Sequence, residues 1–303
     1  MPVTNTPLRY PGGKTQLAPL VLEVLRHNGL FYGEYAEPFA GGAGIACSLL
    51  LDGYVSRVHI NDLDPSIHAF WWSVVHEPER LCQLISRTPV TLAEWRRQKA
   101  VQDANDGDLL KLGFSTFFLN RTNRSWIING GVIGGLDQKG NYPIDCRFHK
   151  VNLINKIERL AANAEQMSVT NLDGLEFLKR FNRKPVVHTL INIDPPYYVR
   201  GPELYKAWFT AEDHSALAKA VAKLKASWMV TYDSTPETRE LYKKYPSFSN
   251  SLRYTAQVKR SGVELLVVDP RLHLPPWLEE QAGVAPGDRL PTTSRRRSVG
   301  LGA

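Results

Sequence analysis

Residues 186–197 read Val-Val-His-Thr-Leu-Ile-Asn-Ile-Asp-Pro-Pro-Tyr, and this stretch decides the fold. Its first eight residues are mostly apolar and β-branched, which is typical of a strand buried in a parallel sheet. Asp194 ends the strand, and Pro195 and Pro196 then stop the strand pairing because proline has no amide hydrogen to donate. The sequence therefore predicts a rigid loop at the carboxyl edge of a sheet, where open α/β folds bind ligands.

This loop combines hydrogen-bond acceptors with an aromatic ring. The Asp194 carboxylate and the Pro195 carbonyl can each accept one N–H of an exocyclic amine, whose lone pair is otherwise delocalised into its ring. Tyr197 can stack on that ring and hold it in place. The alternative is an ordinary Asp-Pro turn without a chemical role. We predict that Asp194, Pro195, Pro196 and Tyr197 are catalytic and support methylation of an amino group on a planar base.

A second motif lies at residues 35–44, Tyr-Ala-Glu-Pro-Phe-Ala-Gly-Gly-Ala-Gly, and an apolar helix follows it as far as Gly53. A strand, a glycine turn and a helix start form a nucleotide-binding βα unit. Cys47 holds the third glycine position of the dinucleotide fingerprint, which disfavours a pyrophosphate site. Asp62 ends the next predicted strand, 25 residues after Glu37, where a carboxylate can bind ribose hydroxyls. The order of these features favours a nucleoside-type site.

Two further charged residues lie at predicted element junctions. Residues 13–15 read Gly-Lys-Thr, but Leu8 occupies the first glycine position of a P-loop and no apolar strand precedes it, so that interpretation fails. Lys14 at a helix start opposes the helix dipole, which indicates an anionic neighbour, although an exposed lysine on a turn is the alternative. Asp173 lies between a predicted strand and helix, where it can accept from an adenine amino group or cap the helix.

The basic excess of the chain concentrates between residues 111 and 150, which hold six basic residues against two aspartates. Within this segment, residues 114–124 predict an aromatic helix that ends in a polar loop, and a glycine-rich stretch follows. Asparagine and arginine side chains are typical contacts to phosphates and base edges. The alternative is an exposed glycine-rich loop without a ligand. We predict DNA contacts by Asn120, Arg121, Asn123 and Arg124.

Length and composition limit the class of protein. A chain of 303 residues with 43% hydrophobic residues can hold one large α/β domain, with or without a small insert. The formal charge of +7 is compatible with a nucleic-acid partner without requiring one. The three cysteines and eight histidines show no paired metal-ligand spacing, so we predict no metal site. No apolar leader or run of roughly 20 apolar residues is present, so we expect a cytoplasmic protein without a membrane partner.

Taken in order, these motifs resemble those of the Dam-type DNA adenine-N6 methyltransferases, most closely the compact enzymes of phage, prophage and restriction–modification systems. The resemblance extends from about residue 7 to about residue 268. It rests on Tyr-Pro-Gly-Gly-Lys at 10–14, Glu-Pro-Phe-x-Gly-Gly-x-Gly at 37–44, Asn61-Asp62, Asn-Arg-Thr-Asn-Arg at 120–124, and Asp-Pro-Pro-Tyr at 194–197. It implies a Rossmann-like α/β fold, with a seven-stranded methyltransferase sheet and a small, mainly helical target-recognition insert.

The resemblance also implies S-adenosylmethionine as the cofactor, S-adenosylhomocysteine as its product, and no metal. In this chain Gly42 stands where some members carry a residue with a side chain. The implied cofactor contacts are Tyr10, Lys14, Glu37, Phe39, Gly41, Asp62, Asp173 and Asp194.

We predict a discontinuous catalytic domain from residues 1–70 and 151–275, a DNA-binding insert at 71–150, and a disordered basic tail at 276–303. The expected activity is methyl transfer to N6 of adenine in double-stranded DNA, with the base flipped out. We expect a monomer, with a cognate restriction endonuclease as an optional partner. Three alternatives stay open: methylation of cytosine N4, methylation of an RNA base, and a non-catalytic DNA-binding relative.

Overall fold

Seven strands form one mixed sheet in the computed structural model, with the order β3-β2-β1-β4-β5-β7-β6. The structure describes residues 4–9, 17–104, 106–126, 128, 130–183, 188–198, 209–253 and 261–281. The strands are β1 (Glu34–Glu37), β2 (Arg57–Asn61), β3 (Met167–Thr170), β4 (Thr189–Ile193), β5 (Ser227–Asp233), β6 (Ser247–Arg253) and β7 (Ser261–Val268). The first five strands in this order pair in parallel, and β7 runs antiparallel to both β5 and β6. The predicted seven-stranded Rossmann-like sheet is confirmed.

The strand order reverses between β1 and β4. The chain first adds β2 and β3 on one side of β1 and then returns to pair β4 with the other side. Such a reversal leaves a crevice at the carboxyl ends of the two strands, which is where open α/β sheets bind ligands. Glu37 ends β1 and Asp194 follows β4, so both carboxyls lie at this crevice.

Helices cover both faces of the sheet. They are α1 (Ala18–His27), α2 (Gly44–Leu51), α3 (Pro65–His76), α4 (Pro78–Arg87), α5 (Leu92–Ala104), α6 (Leu109–Thr122), α7 (Lys150–Ala161), α8 (Gly174–Asn182), α9 (Ala211–Val221), α10 (Pro236–Leu241) and α11 (Pro276–Gln281). One hydrophobic core joins the sheet to α1–α4, α6, α7 and α11, and a second lies under α8 and α9 on the opposite face. Of the helices in the described ranges, none is long and apolar enough to cross a membrane.

Helices of the predicted insert share the first of these cores. Phe117 of α6 stacks on Phe70 of α3, with ring centroids 5.9 Å apart and ring planes within 10°. Both rings are fully buried in the same core as Ile60 of β2. The boundary predicted between residues 70 and 71 falls inside α3, so this helix belongs to both predicted parts of the chain.

Two predicted segments differ from the structure. The alternating sequence at 253–259 and 263–268 predicts an edge hairpin around a turn at Ser261-Gly262. That turn is wrong, because both residues are paired in β7, opposite Arg253 and Leu252 of β6. A Ser-Gly pair is a turn signal, but glycine also fits a strand beside a sheet edge. The predicted partner strand at 253–259 lies, apart from Arg253, outside the described residues.

The tail prediction is wrong for residues 276–281, which form α11. Pro276 begins this helix, where proline is favoured because the first helical amide needs no partner. Leu278 is 3% exposed and packs into the first core. Residues 282–303 lie outside the described part of the chain.

Gly113 allows α6 to lie close to α3. A Cβ atom at this position would stand 2.5 Å from both the Ala69 carbonyl oxygen and Ser73 Oγ. We expect Gly113→Ala to lower the free energy of unfolding by about 1–3 kcal/mol, because the overpacked helices must separate. Urea denaturation measures this change. Gly131→Ala is the control, because nothing lies within 4 Å of its added methyl, and equal stability of the two variants would contradict the prediction.

Candidate active site

The Asp194 carboxylate lies half-buried at the carboxyl end of β4. Thr231 of β5 donates from its hydroxyl to Asp194 Oδ1 over 2.7 Å, which orients the carboxylate. This contact follows from strand register, since Ile193 pairs with Val230 and the next residues along each strand face one another. Pro195 is buried, and among the described contacts no hydrogen bond uses its carbonyl. The structure thus brings a carboxylate acceptor and an unused carbonyl acceptor to one corner.

The residues after the prolines are held by the two neighbouring strands. The Tyr198 backbone N–H donates to Asp233 Oδ1 of β5 over 2.9 Å. The Tyr197 hydroxyl donates to Glu264 Oε1 of β7 over 2.8 Å, and Glu264 is 4% exposed. The Tyr197 ring therefore stays half-buried at the site with its hydroxyl bound to the sheet.

An aromatic cluster supports the other side of this loop. His214 of α9 lies fully buried with its ring centroid 4.7 Å from that of Tyr198. Its Nδ1 lies 2.7 Å from the Tyr232 hydroxyl, and Phe209 packs against the same ring at 5.3 Å. Burial lowers the pKa of His214, which favours the neutral imidazole. The loop is therefore held by packing as well as by hydrogen bonds.

A buried polar row lies beneath the crevice on one face of the sheet. Glu37 Oε1 accepts hydrogen bonds from the Tyr35 hydroxyl at 3.1 Å and from the Ala46 backbone N–H at 3.3 Å. Burial, together with a smaller contribution from the nearby Asp194 charge, raises the pKa of Glu37 to about 8. Asn192 Oδ1 in the neighbouring strand β4 is also buried, and it has no hydrogen-bond partner. Within the described ranges no cation forms an ion pair with Glu37.

The glycine turn and the end of β2 are joined by the Asp62 carboxylate. Asp62 Oδ2 accepts from the Gly41 backbone N–H at 2.8 Å, and Oδ1 accepts from the Asp64 N–H at 2.9 Å. Burial raises the pKa of Asp62 to about 6. The tight turn needs left-handed backbone at Gly41 (φ 47°) and at Ala43 (φ 44°). Gly42, the position that departs from the common pattern, is not one of these left-handed residues.

Phe39 and Asp173 lie at the same edge. The Phe39 ring packs so closely over Gly174 that a Cβ there would stand 2.4 Å from Cζ, and it meets Phe209 edge-on at 5.7 Å. Asp173 caps α8, accepting at Oδ1 from the Leu175 and Glu176 N–H groups. The structure thus shows the capping role that the sequence left open for Asp173. Tyr10 and Lys14 lie outside the described residues.

Three of the four predicted DNA contacts face the interior of the chain. Asn120, Arg121 and Asn123 are at most 8% exposed. The Asn120 amide accepts from the Arg9 backbone N–H at 2.9 Å, and Asn123 Oδ1 accepts from the Trp95 indole. Arg124 is exposed. The buried placement of these three residues differs from the open DNA-contacting loop that the sequence predicts. DNA contact through the exposed Arg124 stays a prediction.

Sequence patterns did not reveal several groups that shape the site. Three of these groups are polar residues inside apolar strands: Thr231, Asn192 and Glu264. A polar residue in an apolar strand is the sequence pattern that could have indicated them. His214 carried no comparable signal, because a single histidine in a helix is usually a packing residue. Among the described residues no group of three or more His, Cys, Asp or Glu side chains could hold a metal ion.

The seven-stranded sheet, with a carboxyl-lined crevice at its switch point, is consistent with a Rossmann-like methyltransferase fold. Residues 10–106 match the family model of the D12 class N6 adenine-specific DNA methyltransferases. This match covers the glycine turn and Asp62, and it confirms the resemblance to the Dam-type enzymes. The match spans about a third of the chain and supports an adenine-specific DNA methyltransferase.

The chain was also compared with solved structures and with curated proteins. The crystal structure of protein LPL1258 from Legionella pneumophila str. Philadelphia 1 is 14% identical to this chain, and the alignment covers 88% of this chain and 89% of that chain. Its TM-score is 0.32, which is too low to support an argument about fold or function. No curated protein matches the chain.

The raised pKa of Glu37 predicts a stability that depends on pH. The folded state keeps a proton on Glu37 up to about pH 8, whereas the unfolded chain releases it near pH 4.3. This contribution to stability is therefore complete below pH 4.3 and is lost as the pH rises through 8. We expect Glu37→Gln to reduce the decline in the free energy of unfolding between pH 5 and pH 8.5 by on the order of 3 kcal/mol.

Urea denaturation of the cofactor-free protein across this pH range measures the effect. Glu165→Gln is the matched control, because Glu165 is exposed in the turn after α7 and its removal should leave the decline unchanged. A Glu37→Gln protein with the full wild-type decline would show that Glu37 does not hold a proton in the folded state.

Proposed function

We propose that this enzyme transfers a methyl group from S-adenosylmethionine to N6 of adenine at a specific site in double-stranded DNA, after flipping the base out of the duplex. The observation that carries the proposal is the corner at the end of β4. There Thr231 orients the Asp194 carboxylate beside a Pro195 carbonyl that no described hydrogen bond uses. Two adjacent acceptors suit the two N–H groups of an aryl amine.

The carboxyls of the crevice fit a positively charged cofactor. Glu37 and Asp62 both have a raised pKa because of burial, and in the described ranges neither forms an ion pair. A nearby positive charge favours the ionised form of a buried carboxyl. When bound, S-adenosylmethionine supplies an electrophilic methyl group on a sulfonium centre and leaves as S-adenosylhomocysteine. We propose that Tyr10, Lys14, Glu37, Phe39, Gly41, Asp62 and Asp173 hold this cofactor beside Asp194.

The residues of the corner prepare the amine for attack. Asp194 and the Pro195 carbonyl each accept one N–H of adenine N6, which draws the nitrogen toward tetrahedral geometry and frees its lone pair. Tyr197 stacks on the base and fixes its orientation. Thr231 keeps the carboxylate in the accepting orientation, so the geometry exists before the base arrives.

The position of the corner supports base flipping. Asp194 and Pro196 are half-buried and Pro195 is buried, so the acceptors stand in the crevice and not on an open surface. An amino group inside a stacked duplex cannot enter such a crevice. Extruding the adenine costs a few kcal/mol, which binding to the rest of the duplex must offset.

We expect Asp194→Ala to lower methyl transfer at least about 100-fold, in line with the loss of one preorganised group at a reaction centre. Asp194→Asn should keep more activity than Asp194→Ala, because its amide oxygen can still accept one N–H. Incorporation of tritiated methyl groups into duplex DNA measures both variants, and nucleoside analysis identifies the product. Glu165→Gln, far from the crevice, should retain wild-type incorporation.

Equal incorporation by wild type and Asp194→Ala would remove Asp194 from the mechanism. Methylated cytosine in the product, or methyl groups found only in RNA, would favour the corresponding alternative amino methyltransferase. Failure to bind S-adenosylmethionine in calorimetry would favour a non-catalytic DNA-binding relative.

Two substitutions distinguish the role of the Tyr197 ring from the role of its hydroxyl. Tyr197→Phe removes the hydrogen bond to Glu264 and should lower the free energy of unfolding by about 1 kcal/mol while leaving methyl transfer within about tenfold of wild type. Tyr197→Ala also removes the stacking ring, so methyl transfer should fall much further. Tyr32→Ala serves as the control, since Tyr32 is 78% exposed at the opposite edge of the sheet. Equal activity of Tyr197→Phe and Tyr197→Ala would exclude stacking as the role of this residue.

A further inference from the structure

His214 is a buried histidine whose ring nitrogens are only partly satisfied. Its Nδ1 lies 2.7 Å from the Tyr232 hydroxyl, whereas its Nε2 is buried without a hydrogen-bond partner among the described residues. A hydrogen bond that is made and a buried polar atom that is left unpaired affect stability in opposite directions and by similar amounts. The nitrogens of His214 therefore stabilise the fold little, and its contribution comes from the contacts of its ring.

The ring of His214 contacts two other aromatic rings. Its centroid lies 4.7 Å from that of Tyr198, with the ring planes 33° apart, and 5.3 Å from that of Phe209. Phe209 in turn meets the ring of Phe39 edge-on at 5.7 Å. Aromatic pairs at such distances attract each other beyond the effect of burying their area. A row of ring contacts thus runs from Phe39, beside the glycine turn, through His214 to the loop after the two prolines.

The start of α9 fixes the position of His214. The Thr210 hydroxyl accepts from the Asp213 N–H at 3.3 Å, and the Asp213 carboxylate accepts from the Thr210 N–H at 2.8 Å, which forms a capping box. The His214 N–H then donates to the Thr210 carbonyl at 3.1 Å in the first helical turn. Because its backbone is held by this turn and its Nδ1 is held by Tyr232 of β5, His214 presents a fixed ring to Tyr198.

Tyr198 couples this fixed ring to the acceptor corner. Its backbone N–H donates to Asp233 Oδ1 at 2.9 Å, so both the ring and the backbone of Tyr198 are held. Three residues separate Tyr198 from Asp194, and two of them are prolines, whose φ angles are fixed. A displacement of Tyr198 would therefore also displace the acceptors of the corner.

We propose that His214 is a positioning residue for methyl transfer that acts through the ring of Tyr198, and this inference rests on the proposed function. Methyl transfer requires the amine nitrogen to lie in line with the sulfonium methyl group. Small displacements of such reacting groups lower the rate strongly. The row of rings joins the corner that holds the amine to Phe39 on the predicted cofactor side, and His214 keeps the separation of these two sides fixed.

A double-mutant cycle between His214 and Tyr198 tests the proposal. His214→Gln removes the ring but keeps an amide oxygen that can accept from the Tyr232 hydroxyl. Tyr198→Leu removes the same ring contact from its half-buried side. We expect each variant to lower the rate of methyl transfer by about 10- to 100-fold. The double variant should lose no more than the larger single loss, because both substitutions remove one contact.

The rate is measured as incorporation of tritiated methyl groups into duplex DNA in a single turnover, which excludes product release. Calorimetry measures the affinity for S-adenosylmethionine, which should be unchanged in both variants because the ring contact orients the amine side. His214→Phe restores an aromatic ring. It should be less stable in urea, because the Tyr232 hydroxyl loses its partner, yet keep more of the wild-type rate than His214→Gln does.

Leu217→Ala is the control for lost stability. Leu217 is fully buried one turn further along α9, in the second core. Its truncation should lower the urea midpoint, because it leaves a cavity in that core. Under conditions where the variant stays folded, its single-turnover rate should equal that of wild type.

Wild-type rates in both His214→Gln and Tyr198→Leu, or single losses that multiply in the double variant, would overturn the inference alone. An equal loss of rate in folded Leu217→Ala would also overturn it, since lost stability would then explain every variant. If His214→Gln does not fold, Tyr198→Phe keeps the ring and tests the same contact against Tyr198→Leu, and equal rates of these two would contradict the inference. Wild-type protein that transfers no methyl group to DNA would overturn both the inference and the proposed function.

Discussion

Parallel pairing of β1 with β4 is the constraint on which the site depends. It places Glu37 and Asp194 at the same edge of the sheet, where strand order reverses and a crevice opens. The two prolines after Asp194 end the pairing, so the chain must leave the sheet at that point. Hydrogen bonds to β5 and β7 then hold the loop, which gives the acceptors a fixed orientation.

Charged side chains without a described ion pair occur with both signs in this chain. Glu37 and Asp62 line the crevice, whereas Arg121 lies buried near the end of α6. Burial raises the pKa of the Cys47 thiol, and the charges of Glu37 and Lys156 act on it in opposite directions. A nearby positive charge favours the ionised form of a buried carboxyl, which fits the sulfonium cofactor that we propose for the crevice.

Local patterns predicted most of the sheet, because buried parallel strands are short apolar runs that end in turn residues. Glu37, Gly41, Asp62 and Asp194 all lie at the carboxyl edge that the order of strands implied. Two predicted segment boundaries were wrong because the same residue types are typical of two different structures. Ser261-Gly262 can form a turn or a strand beside an edge, and a proline-rich stretch can be a tail or, as at Pro276, the start of a helix.

The sequence by itself predicted the class of fold and the resemblance to adenine-specific DNA methyltransferases, because these depend on residues close together in the chain. Only the tertiary structure decided which way the polar residues at 120–123 face. Asn120 and Arg121 turn inward because the distant segment at 6–9 offers backbone partners, and a contact across more than a hundred residues leaves no local pattern. The same reason hid Thr231, His214 and Glu264, whose roles depend on strands and helices that meet only after folding.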